Sequence, residues 1–119
     1  MRLRSDIWVA AYRRRAEVAG AFVAIARKGV AESGAIFIRI DHLDGRGVLY
    51  GPAPQALAGT FDDGGRPFQR LHSEDTLDNA AIVARLAREV RFDPDLWIVE
   101  VEDRQARTFL DDTASPFRL

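Results

Sequence analysis

The chain has 119 residues, a formal net charge of −1, 47% hydrophobic and 29% charged residues, which is the composition of one globular domain with a core. It has no cysteine, which excludes structural disulfides, thiol nucleophiles and cysteine-ligated metal, and its two histidines lie far apart in sequence, which disfavours a histidine metal site. The near-neutral charge supplies no global field for nucleic acid or acidic membrane, and no apolar run is long enough to span a bilayer, so the expected compartment is the cytoplasm.

In chain order, Ser5 or Asp6 is placed to cap a first helix running to about Ala19 and closed by Gly20. On a helical wheel Ile7, Trp8, Val9, Ala11, Tyr12, Ala16, Val18 and Ala19 fill one wide arc, with Arg13, Arg14 and Glu17 opposite. Arg15 falls inside the apolar arc. It reads either as a guanidinium held for a carboxylate or phosphate, stacked on Trp8 or Tyr12, or as a long stem lying over apolar surface.

Residues 21–28 read as a strand stopped by Gly29, with a helix as the alternative because the alanines are neutral. Residues 35–41 read as a second, with Ile36, Ile38 and Ile40 on one face and Phe37 and Arg39 on the other. The Asp44-Gly45 turn then leads into a third strand over 48–51, and the three strands are expected to form an antiparallel meander. Pro52 and Pro54 end it, residues 57–65 are expected to be mobile, and residues 68–72 suggest a short fourth strand. The glycines between 59 and 65 lack the Gly-Lys-Ser/Thr ending of a phosphate loop.

Ser73 to Thr76 offer caps for a second helix over about 77–91, with Ala80, Ile82, Val83, Ala84, Leu86, Ala87 and Val90 toward the core and an Arg85–Glu89 pair on the outer face. Pro94 stops that helix. Leu96-Trp97-Ile98-Val99 is then a continuous apolar run, the mark of a central strand buried on both faces. Val101 continues the face of Trp97 and Val99, and Glu100 and Glu102 make the other face polar. Asp93, Asp95, Glu100, Glu102 and Asp103 are accounted for by a turn and a solvated strand end rather than by a metal or acid/base cluster. Residues 103–110 suggest one more short element and 111–119 a tail.

The order describes a single α+β domain over residues 1–110, with an antiparallel or mixed sheet of four to five strands and two helices packed on one face. Leu3-Arg-Ser-Asp-Ile-Trp-Val9, Gly20-Ala-Phe22, Leu49-Tyr-Gly-Pro-Ala-Pro54 and Phe92-Asp-Pro-Asp-Leu-Trp-Ile-Val-Glu-Val-Glu-Asp-Arg104 resemble the small bacterial family called domain of unknown function 1491. The resemblance covers nearly the whole chain and implies an alphaproteobacterial source. It implies no activity and carries over no site residue.

Three functional readings follow. The first is a non-enzymatic module for a protein or small-molecule partner. It rests on the lack of any catalytic grouping and on Tyr50, Phe61, Phe68 and Phe117 as candidate surface aromatics. Homodimer formation through a strand edge at 68–72 or 21–28 belongs to this reading. The second is a small enzyme, by weak analogy with acyl-transfer folds. The acidic start of the second helix, Ser73-Glu-Asp-Thr76, opposes it by repelling phosphate. The third is nucleic-acid binding through Arg2, Arg4, Arg13, Arg14 and Arg15, which the net charge and Glu17 disfavour. No catalytic residue, cofactor or metal is expected. The candidate binding residues are Arg15, Arg39, Glu100 and Tyr50, with Arg39 and Glu100 also readable as a structural cross-strand ion pair.

Overall fold

A strand with large apolar side chains on both faces needs cover on both. The computed structural model, which describes residues 3–54, 61–63 (backbone) and 65–110, provides that cover for the run beginning at Leu96. Its elements are α1 (Ser5–Val18), β1 (Phe22–Arg27), β2 (Ile36–Asp41), β3 (Arg46–Pro52), β4 (Phe61–Asp63), β5 (Arg66–Arg70), β6 (Leu77–Asp78), α2 (Asn79–Phe92) and β7 (Trp97–Glu102). The strands form one mixed sheet in the order β1-β7-β2-β3-β5-β4, with β6 beside β3. Among the described residues only β2 and β7 run parallel, and the other pairs are antiparallel.

The expected α+β class holds, with more strands than the four to five expected. β4 falls in the stretch expected to be mobile, where Phe61 pairs with Phe68 and Asp63 with Arg66. The rest of that stretch, 57–60 and 64, lies outside the described residues, as does the 111–119 tail.

The expected meander is corrected. β1 and β2 do not pair, because β7 enters between them. The connection over 28–35 therefore bridges the start of β7. Val30 N–H donates to Asp95 O (2.9 Å), the Trp97 indole donates to Val30 O (2.9 Å), and Trp97 N–H donates to Ala35 O (2.7 Å). Gly29 and Gly34 make the crossing feasible, since a Cβ at either position would overlap Asp95 O and the Trp97 ring.

The helices lie on opposite faces, not on one. On the first face Trp8, Val9, Tyr12 and Ala16 of α1 cover Val23, Ile36, Ile38, Ile40, Trp97, Val99 and Val101, with Phe68 tilted against Trp8 at 5.1 Å. Ile38, Val99 and Val101 have no exposed surface, and burial of each contributes roughly 2 kcal/mol. On the second face Ile82 and Leu86 of α2 cover Phe37, Leu49 and Leu96. The second helix docks by a narrow stripe: Val83 is 54% exposed, and Ala80, Ala84 and Ala87 are also exposed.

Neither helix is capped by its own side chains. Ser5 is buried instead, its hydroxyl donating to Gly34 O (2.6 Å) and accepting from Arg66 (2.9 Å). The first N–H groups of α1 go to the 28–35 connection, Asp6 N–H to Ala31 O at 3.0 Å. Helix α2 begins two residues later than expected, after Leu77 and Asp78 have paired with β3 as β6. Residues 103–110 form no regular element. They strap across α1, with Tyr12 hydroxyl donating to Thr108 O (2.5 Å) and Arg107 holding Asp103 through Nε and Nη2 (2.9 Å each).

Candidate functional site: a polar groove beside an open strand edge

The parallel register of β2 and β7 sets Arg39 opposite Glu100 and Asp41 opposite Glu102. The antiparallel register of β1 and β7 adds Ala24 opposite Glu100 and Phe22 opposite Glu102. These six residues share one sheet face in two rows. They lie beyond the end covered by α2, and together line a groove of 220 Å³. The buried stripe of α2 packs with Phe37, Leu49 and Leu96, with Ile98 partly buried beside them, and none of the six groove residues belongs to that cluster.

Within the groove Arg39 Nη1 donates to Glu100 Oε2 at 2.9 Å, with Arg39 13% and Glu100 36% exposed. Arg39 Nε is buried and has no hydrogen-bond partner among the described residues. Asp41 accepts the N–H of Leu43 (2.8 Å), and Glu102 is exposed. Three carboxylates against one guanidinium leave the groove net acidic, and Phe22, 62% exposed, stands at its rim as an aromatic ring. A cationic side chain is the group this lining suits, by charge and by the ring face.

Strand β1 borders the groove, and among the described residues nothing pairs with its outer edge. On its other face, between β1 and α1, lies a more open groove of 370 Å³ lined by Val9, Ala10, Ile25 and Trp97 together with the charged Asp6, Arg13, Arg14 and Glu17.

The four sequence-derived candidates do not converge. Arg39 and Glu100 form the expected cross-strand pair. Tyr50 lies on the opposite face, half-buried against the α1 core, where desolvation pushes its phenol above the ordinary value. Arg15 is exposed on α1 with its guanidinium 5.4 Å from the Tyr12 ring centroid. It sits on the outward stripe of Ile7, Ala11 and Val18, because the buried arc is the narrower one through Ser5, Trp8, Val9, Tyr12 and Ala16.

Of the candidate surface aromatics, Phe68 is core at 2% exposure; the Phe61 side chain and Phe117 lie outside the described residues. Of the edge at 68–72, Phe68 is flanked on both sides, by β3 and β4, while Gln69 and Arg70 pair with β3. Of the cationic cluster, Arg4 pairs with Asp6 and Glu32, and Arg13 with Glu17. Sequence reasoning missed Phe22, Ala24 and Asp41. Only the strand pairings bring them beside Arg39 and Glu100, and no local signal carries those pairings.

His72 accepts the Leu49 N–H through Nε2 (3.1 Å), a structural use of the ring. Among the described residues no group of three or more His, Asp or Glu side chains is placed to hold a metal ion. Among them, too, no helix is long and apolar enough to cross a membrane.

The profile of a family described as "Protein of unknown function (DUF1491)" matches residues 3–111. The chain belongs to this family. It is similar to a DUF1491 family protein from Caulobacter crescentus CB15 solved by crystallography (37% identity, TM-score 0.76, covering 94% of this chain and 96% of that one). It is similar to protein Atu0922 from A. tumefaciens, solved in solution (42% identity, TM-score 0.76, 98% of each chain). An NMR structure of a DUF1491 family protein from Caulobacter crescentus CB15 matches at 39% identity and TM-score 0.75 over 94% of this chain and 96% of that one. No curated protein matches the chain. The DUF1491 relationship thus carries the fold and names no activity.

Proposed function

We propose that this DUF1491 chain is a non-enzymatic interaction module that takes an extended peptide strand along the outer edge of β1. The carrying observation is that, among the described residues, β1 pairs with β7 alone and has differently lined grooves on its two faces. A strand added to such an edge gains main-chain hydrogen bonds, and its alternate side chains enter the two grooves. Side chains on the Glu100 face meet carboxylates and the Phe22 ring, so lysine or arginine is preferred there. Those on the α1 face meet Ile25 and Trp97, so apolar residues are preferred. In this reading the Arg39–Glu100 pair holds the groove floor in shape. We place this role in the cytoplasm on composition.

The test is fluorescence anisotropy with a labelled peptide of alternating lysine and valine, beside one of alternating glutamate and valine. The lysine peptide is expected to bind in a salt-dependent manner and to weaken with Glu102→Gln, while the glutamate peptide does not bind. Equal affinity for the two, or binding of neither by the monomeric chain, contradicts the proposal.

A further inference from the structure

The edge that the proposed reading treats as a docking site is complementary to itself, and we infer that its occupant is a second copy of this chain, paired antiparallel through β1. This inference rests on that reading and names the partner.

Charge is divided along the strand. At its start, Phe22 lies opposite Glu102, with Asp41 in the next strand of the same row. At its end come Arg27, on the Ile98 row of the same sheet face, and then Lys28, which is exposed. An antiparallel pairing about the middle of β1 sets the Arg27–Lys28 end of each copy beside the acidic Phe22–Glu102 end of the other. The twofold repeats that attraction twice. A parallel pairing would set acid beside acid.

The side chains agree with the charges. Centred on Ala24, the pairing sets Ala24 against Ala24, where a small residue lets backbones approach. It sets Val23 against Ile25 on the α1 face, a β-branched cross-strand pair. It also covers Phe22, which stands 62% exposed on an isolated chain. Edge strands that avoid pairing carry charges, prolines or bulges. In β1 the one irregularity falls between Ile25 and Arg27, and Phe22 to Ile25 is regular and uncharged. The product is one continuous sheet through both copies, with the acidic groove of each closed at its rim by the other's cationic end.

The experiment is sedimentation equilibrium of the full chain from micromolar to millimolar concentration, with the variants Arg27→Glu, Glu102→Arg and their combination. The mass is expected to move from 13.3 kDa toward twice that value. Each single variant is expected to weaken association by about tenfold or more, and the combination to restore it. Lys28→Glu, at an exposed position, serves as the milder reversal should Arg27→Glu disturb the hydrogen bond of Arg27 to Pro94 O (2.7 Å).

A single-chain mass at every concentration overturns self-pairing. If that monomer still binds the lysine–valine peptide, the docking-edge reading stands and only the named partner is wrong. If it binds no peptide, both fall. A dimer indifferent to all the reversals also overturns the inference, because its interface then lies elsewhere.

Discussion

The two faces of the central strands differ in how completely they are closed. On the α1 face Ile36, Ile38, Ile40, Trp97, Val99 and Val101 are all buried under one helix and the 103–110 strap. On the α2 face the same strands carry Phe37 and Ile98 under the second helix, and then Arg39, Asp41, Glu100 and Glu102 in an open groove. The helices have the same length, 14 residues each. The difference lies in the strands, whose alternation turns polar on one face only. A helix cannot bury two rows that together hold three carboxylates without several kcal/mol of desolvation. The α1 face is therefore the closed one, and the open end of the α2 face borders the edge proposed as the docking site.

The largest expected effect is on the closed face. Ile38→Ala, at a position with no exposed surface, should lower unfolding stability by about 3 kcal/mol in urea denaturation. A loss below about 1 kcal/mol would break the contrast between the faces. Next comes the crossing that brings β7 between β1 and β2. Gly34→Ala should cost about 2 kcal/mol by forcing Asp95 and Trp97 apart, with a matching fall in thermal midpoint.

On the open face, Glu100→Ala should cost about 1–3 kcal/mol, since it strips a largely buried guanidinium of its partner, and it should weaken binding of the lysine–valine peptide as well. Unchanged peptide affinity would reduce the Arg39–Glu100 pair to a structural role. Phe22→Ser should change stability by less than about 0.5 kcal/mol, yet reduce association, because its ring is exposed on the isolated chain.

A pH prediction belongs to the strap on the closed face. Hydrogen bonds from Arg107 hold the Asp103 carboxyl below its ordinary value. A depressed carboxylate stabilises the fold above its unfolded value, near about 4, and that contribution disappears as the pH falls through the lower folded value. Denaturation curves through the acid range should therefore steepen in their pH dependence for the native chain and flatten for Asp103→Asn.

Much of the fold is legible in the sequence. The alternation Ile36-Phe37-Ile38-Arg39-Ile40 states both the strand and its two faces, and the continuous run at Leu96 states a central strand. Pairing is not legible, because register and neighbours depend on contacts distant in sequence. A short Gly-bounded connection over 28–35 reads as a hairpin, whereas its two glycines serve the approach of Asp95 and Trp97. The helix faces were also hidden. Arg39, Glu100 and Glu102 show that one sheet face is polar, but not that only part of it lies outside α2. The same limit governs the site. Arg39 and Glu100 can be named from their strand positions, while Phe22, Ala24 and Asp41 join them only through the β1–β7–β2 order. Arg15 and Tyr50 each look apt for binding by residue type and lie elsewhere.

The most direct test of the docking edge is amide hydrogen exchange across β1, read residue by residue at low and high protein concentration and with the lysine–valine peptide. The account predicts that alternate amides between Phe22 and Arg27 become protected on self-association or on peptide addition, while those of β2 and β7, already paired on both sides, do not change. Exchange in β1 that is identical under all these conditions would contradict the central claim that this edge is where the protein meets its partner.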